Sequence, residues 1–171
     1  MAKLIDQEPK YEGEKKVWHA FSKNLPTDWV VYNTRSVNGR EYDFCVLAPN
    51  VGLFIVEVKG WHPYGILTVV NSNTIFLEGK ENPEDSPRGQ ARGYRFDLLT
   101  KIQRELGMNP LVISFVFYPI ISEKQYFEKG LNVVSETNET IFEEDLKDSV
   151  KLYQKFMARY NIDKGVKHDE L

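Results

Sequence analysis

Cysteine is nearly absent: Cys45 is the single one in 171 residues, so no internal disulfide can staple the chain. The three histidines, His19, His62 and His168, stand far apart without ligand spacing, which argues against a zinc site. No apolar run approaches the roughly 20 residues that span a bilayer. The opening Met1 to Glu8 lacks the apolar core of a secretory signal. These absences predict a reduced, cytoplasmic setting. Neither charge sign dominates, with 22 Lys/Arg against 25 Asp/Glu and a net charge of -3, so only a local patch can draw in a polyanion. Only 11 Gly and 8 Pro exclude a collagenous repeat or a flexible linker. There is no phosphate-cradling glycine loop, which excludes ATP hydrolysis by the chain itself. The terminal His168-Asp169-Glu170-Leu171 matches a retrieval signal of the endoplasmic reticulum. Nothing else would deliver the chain to the lumen, so it reads as a coincidence at a frayed or cut end.

What is present is apolar and aromatic: 42% hydrophobic and 13% aromatic residues, enough to build one globular domain over residues 1–171. Between Lys10 and Asn24 the positions Val17, Phe21 and Leu25, with Trp18, recur at helical spacing, and Leu25-Pro26 ends that helix. Trp29 to Tyr32 and Glu41 to Ala48 read as antiparallel strands joined through Asn38-Gly39, a type I′ hairpin signal. Pro49-Asn50-Val51-Gly52 then leads into Leu53 to Lys59, a strand apolar enough to be buried on both faces. Ile66 to Val70 and Thr74 to Leu77 read as a further pair of strands, and Glu81 to Ser86 as a polar loop. Ser86 as N-cap, Pro87 at the first helical position and Gly107 at the end bound a helix. Leu111 to Tyr118 and Leu131 to Val134 read as strands. Phe142 to Tyr160, with Leu146, Val150, Tyr153 and Met157 in register, reads as a helix. The order predicts a mixed α/β fold with a central sheet flanked by helices.

The chemistry-bearing segment is Asp43 to Lys59. Glu57 and Lys59 flank Val58, so alternation projects both from one face of the strand, about 7 Å apart at the backbone. If the turn is centred on Asn50, residues 43 and 57 mirror one another and Asp43 faces Glu57. An even-numbered loop would instead set Asp43 opposite Val58 and leave the carboxylates diagonal. Opposed carboxylates repel by up to about 1 kcal/mol on an open sheet, and more when buried. A magnesium or manganese ion would relieve that repulsion, since either can bind through as few as two carboxylates and keep its waters. Lys59 could then hold the attacking water or neutralise charge on a phosphate. The alternative is a solvated strand end where Glu57 and Lys59 only pair with each other.

Gly13-Glu14 in the first helix, Glu41-Tyr42-Asp43-Phe44 on one strand and Val56-Glu57-Val58-Lys59-Gly60-Trp61 on the next resemble the nuclease-related (NERD) domain of the PD-(D/E)xK nuclease superfamily. Gly65, Pro87 and Gln90 extend the resemblance over roughly Tyr11 to Leu106, and Gln90-x-x-x-Tyr94 resembles the QxxxY element of RecB-like nucleases. The resemblance implies a restriction-endonuclease-like core and metal-dependent cleavage of nucleic acid. It implies Asp43, Glu57 and Val58 as metal ligands, Lys59 as the catalytic lysine and Glu14 as an acidic helper, direct or through water. Gln90 and Tyr94 would support the site or touch substrate. Two positions depart from the pattern: Tyr42 stands where the superfamily name has proline, and Gly60 where NERD domains often have asparagine. Neither removes a charge that the chemistry needs. Domains of this family stand alone or precede a helicase region, which makes a helicase segment or protein a candidate partner.

Arg88, Arg92 and Arg95 recur at four and three residues on the helix that opens at Pro87. They share one face. Taken alone this is a solvated basic face; beside a metal site it becomes a nucleic-acid contact, with Tyr94 next to it. Cys45, Trp18, Trp29 and Phe54 read as core. The sequence therefore predicts a magnesium- or manganese-dependent nuclease preferring DNA, the alternative being a non-cleaving nucleic-acid-binding or recruitment module.

Overall fold

The computed structural model describes residues 1–37, 40–165 and 169, and of these the side chains of 34–37, 40–42 and 67 are left undescribed. Along the chain run β1 (Lys3–Ile5), α1 (Glu12–Asn24), β2 (Val30–Val37), β3 (Arg40–Ala48), β4 (Gly52–Val58), β5 (Ile66–Asn71), β6 (Thr74–Leu77), β7 (Glu84–Asp85), α2 (Pro87–Leu106), β8 (Val112–Phe117), α3 (Glu123–Glu128), β9 (Thr140–Ile141), α4 (Glu143–Lys147) and α5 (Lys151–Asp163). Among the described residues they form a six-stranded sheet in the order β1-β2-β3-β4-β8-β9 and a three-stranded sheet β5-β6-β7. In the large sheet β2, β3 and β4 are antiparallel neighbours, while β1, β8 and β9 join in parallel. This mixed sheet flanked by helices is the mixed α/β architecture the sequence predicts.

Each face of the large sheet has its own cover. Phe44, Val46, Phe54 and Val56 meet Val17 and Phe21 of α1 and Leu152 and Phe156 of α5 in the main core, where Phe54 and Phe156 lie 4.6 Å apart. On the other face Cys45, Ile55 and Val112 meet Tyr94, Leu98 and Leu99 of α2. Burial on both faces is why β4 is apolar from Leu53 to Val56. It also makes a charged residue at its end expensive unless compensated. Trp29 and Phe54 are core as expected, Trp18 is partly buried against it, and Cys45 is buried.

α2 begins and ends where the sequence places it: the Ser86 hydroxyl accepts from the Gly89 N–H at 3.0 Å, and Gly107 closes the helix with φ 65°. Elsewhere the structure corrects the sequence reading. Leu131 to Val134 is no strand but a single 3₁₀ turn after Gly130, whose φ of 72° reverses the chain and sends Leu131 and Val134 into the core beneath β5 and β6. The helix expected from Phe142 to Tyr160 is two, because Asp148 leaves the first and its Oδ1 accepts from the N–H groups of Val150 and Lys151, capping the second. The polar loop before α2 contains β7, and β1, α3 and β9 were not foreseen. The Asn38-Gly39 turn lies outside the described residues, although β2 and β3 pair antiparallel up to Val37↔Arg40. His168, Glu170 and Leu171 also lie outside them, while Asp169 accepts from the Asn109 N–H. Among the described residues no helix is long and apolar enough to cross a membrane.

Candidate active site

The β3–β4 register decides where the carboxylates meet. Pairs run from Ala48↔Gly52 to Phe44↔Val56, about a three-residue connection centred on Asn50, whose φ is 63°. Gly52 has no substitute, for its φ is 152° and a Cβ would lie 2.4 Å from the Leu111 carbonyl oxygen. One step beyond the last pair, Asp43 comes opposite Glu57, as the mirror symmetry about Asn50 predicts. Alternation sets both on the face that carries Cys45 and Ile55, covered by α2. The Val58 N–H donates to Asp43 Oδ2 at 2.7 Å, which ties the carboxylate of one strand to the backbone of the other. Glu57 is only 6% exposed, and its Oε1 lies 3.0 Å from Lys59 Nζ. The pair is therefore present but buried, unlike the solvated strand end of the alternative reading.

Glu14 arrives from the other layer. It sits in the first turn of α1 with Glu12, where the helix dipole favours negative charge. That turn approaches the end of β4 because residue 13 is glycine: a Cβ there would lie 3.0 Å from the Gly60 Cα and 3.2 Å from Pro119 Cγ. The approach brings Glu14 against Asp43. Burial, then the Asp43 charge and a hydrogen bond with Asp43, raise the Glu14 pKa to about 7. Burial, then the Asp43 charge, likewise raise Glu57 to about 7 against the opposing pull of Lys59. At neutral pH the cluster thus retains protons that exposed carboxylates would have lost.

Such a site has the donors for a hard cation. Its ligands are oxygens only, and it carries more negative charge than Lys59 offsets, so protons stand where a cation would. Among the described residues no three acidic, histidine or cysteine side chains converge into a ready cage. Asp43 and Glu57 with waters meet the requirement of magnesium, which binds through one or two carboxylates. Val58 has no side-chain donor, so only its carbonyl could serve.

From α2, Gln90 and Tyr94 line a 470 Å³ hollow with Asn73, Asp85, Ser86 and Gly89. Gln90 Oε1 is buried and has no hydrogen-bond partner among the described residues. Tyr94 packs against the Cys45, Ile55 and Val112 cluster beneath the acidic site.

The nuclease-related domain model matches residues 9–119, more than half of the chain. The chain belongs to the nuclease-related domain family. A repair endonuclease from Pyrococcus abyssi, known from its crystal structure, is similar at 14% identity and a TM-score of 0.39, over 80% of this chain and 48% of that one. No curated protein matches.

In this nuclease-related domain the arginine stripe of α2 is engaged internally. Arg88 Nη2 bonds Glu136 Oε1 at 3.0 Å, and its Nε lies 3.1 Å from Oε1 of Glu139, which is 2% exposed. Arg92 approaches the other Glu139 oxygen at 3.7 Å. Arg95 donates through Nε to the Val112 carbonyl. Arg88 and Arg92 therefore share a buried counter-charge from the chain before β9, 51 and 47 residues away in sequence and invisible in the stripe itself. Of the histidines, His19 pairs with Glu8 at 2.8 Å and His62 stacks on Tyr64. The sequence reading weighed His62 only as a metal ligand, although Trp61-His62-Pro63-Tyr64 just after Lys59-Gly60 is a local concentration of rings.

Proposed function

We propose that this nuclease-related domain hydrolyses phosphodiester bonds of nucleic acid, DNA by preference, with magnesium or manganese held by Asp43 and Glu57. Glu14 and the Val58 carbonyl complete the oxygen donors. The observation that carries this reading is that Asp43 stands beside both Glu14 and Glu57 at the end of β4, with the pKa of each of those two raised to about 7. When bound, the ion supplies Lewis acidity for a water and for a phosphoryl oxygen.

The chain's own groups do the rest. The Val58 N–H holds Asp43 in place through Oδ2. A cation held there would take the place of protons on Glu14 and Glu57, whose raised pKa keeps them partly protonated near neutral pH. Lys59, 3.0 Å from Glu57, is oriented by that ion pair and carries its ammonium toward the charge that builds on the phosphate. Water is the nucleophile, and no covalent intermediate forms. Gln90, with its unsatisfied Oε1, supports the site from α2. Arg92, half-exposed, and Tyr94 stand beside the path of the substrate, and a helicase segment or protein is the expected partner.

Nicking of plasmid in magnesium, manganese or chelator, by wild type and Asp43→Asn, tests the reading. Cleavage is expected only from wild type with metal. Binding without cleavage under every metal condition would identify the non-cleaving module instead.

A further inference from the structure

Beyond the acidic cluster, the chain after β4 displays aromatic rings rather than burying them. Tyr64 is 71% exposed in a 3₁₀ turn at Pro63–Gly65, and His62, also exposed, stacks on it at 5.1 Å and 19°. Trp61 is anchored from below, 6.1 Å from Tyr118 and 5.7 Å beneath Lys59 Nζ. Tyr11, 74% exposed, faces the same region from the N-cap of α1. Two hollows connect these rings to the site. One of 600 Å³ takes in Tyr11, Glu14, Val58, Trp61 and His62; the other, of 500 Å³, shares Trp61, His62 and Lys80 with it and reaches Tyr64. The two hollows adjoin through their shared lining.

We infer that the His62–Tyr64 stack, with Tyr11 across the hollow, is a platform for unpaired nucleobases, so that the substrate engaged beside the cleavage site is single-stranded. The inference rests on the nuclease reading and names its substrate class. Exposed rings clustered at the mouth of a site are stacking surfaces, and every base has a π-face to offer them. Bases held in a duplex have those faces covered. The charge here points the same way. Lys80 is paired with Glu84 at 3.8 Å, and Glu78 and Glu12 also line the hollows, so the surface has no excess positive charge with which to grip a duplex backbone. Attraction at this subsite comes from ring stacking and depends little on salt, unlike phosphate contacts.

The test is the affinity of a fluorescent oligothymidylate and of a blunt hairpin duplex, measured with wild type in chelator and with Asp43→Asn in magnesium. In each background Tyr64→Ala and Tyr64→Phe are compared. Tyr64→Ala is expected to weaken oligothymidylate binding by about 5- to 150-fold, the worth of one stacked base, with the same ratio at low and high salt. Tyr64→Phe, which keeps the ring, is expected to bind as its parent does, and duplex affinity to stay unchanged. Because Tyr64 is exposed, an unchanged melting temperature confirms that the variants fold. Equal oligothymidylate affinity in Tyr64→Ala, an equal loss for duplex, or no oligothymidylate binding at all would overturn the inference. Metal-dependent plasmid nicking alongside any of these results leaves the nuclease reading standing. A Tyr64-dependent loss without nicking by wild type removes that reading and leaves the platform.

Discussion

The Val58 N–H donates to Asp43 Oδ2 at 2.7 Å, so the strand that carries Glu57 and Lys59 also orients the carboxylate opposite them. Asparagine can still accept that bond but brings no charge. Asp43→Asn is therefore expected to fold normally and to lose more than about 100-fold in cleavage, the upper range for groups that support a metal site. Asp43→Ala should in addition cost about 1–3 kcal/mol, since a buried N–H loses its acceptor. Cleavage rates and urea unfolding of the two variants separate charge from scaffold. Full activity in Asp43→Asn would show that the carboxylate is not a ligand.

The raised carboxylates make stability depend on pH in a direction opposite to the usual acid unfolding. Glu14 and Glu57 move from 4.5 in the unfolded chain to about 7 in the folded one, so the folded state binds protons more tightly between these values. Their contribution is fully present below 4.5 and is lost as pH rises through about 7. In chelator, the difference in melting temperature between wild type and Glu14→Gln/Glu57→Gln should change across that window, with wild type losing relative stability toward alkaline pH. Magnesium should restore it at about pH 8. A pH-independent difference between the two proteins would show that these groups titrate normally.

Gly13 and Gly60 face each other, but only one of them is required by space. A Cβ on Gly13 would lie 3.0 Å from Gly60 Cα, whereas a Cβ on Gly60 would meet Gly13 Cα at an ordinary 3.7 Å. Gly13→Ala should push the first turn of α1 away, costing about 1–3 kcal/mol and moving Glu14 off Asp43. Gly60→Ala should be tolerated. Thermal unfolding and cleavage rates of both variants check the contrast.

Glu139 predicts an asymmetry between two neighbouring arginines. Arg88→Ala would strand a buried carboxylate and cost about 3–5 kcal/mol. Arg92→Ala, whose side chain is 50% exposed and 3.7 Å away, should cost less than about 1 kcal/mol. Urea unfolding measures both. Equal, small stability losses with equal loss of DNA binding would instead mark the two as phosphate contacts.

Much of the site was legible because its determinants are local. An odd connection centred on Asn50 sets the β3–β4 register, and Ser86, Pro87 and Gly107 bound α2 by their own backbone chemistry. What was hidden depends on distant partners. The face of Arg88 and Arg92 can be counted from sequence, yet Glu139, which neutralises it, is brought up by the chain before β9. The apolar run at Leu131 looks like a strand until Gly130 turns the backbone, and Val150 continues the helical spacing even though Asp148 has already ended one helix and capped the next. The spacing of Glu57 and Lys59 was readable, but their burial, which turns an ordinary ion pair into a site, comes only from α1 and α2 closing over the strand end.

The central claim is that Asp43 and Glu57, with Glu14 beside them, hold a cation, and calorimetric titration of manganese into the protein near pH 6.5, repeated in buffers of different ionisation enthalpy, tests it most directly. Wild type should bind the ion and release on the order of one proton, displaced from the raised carboxylates, while Asp43→Asn/Glu57→Gln should do neither. Undiminished binding by that double variant, or binding by wild type without proton release, would contradict the account.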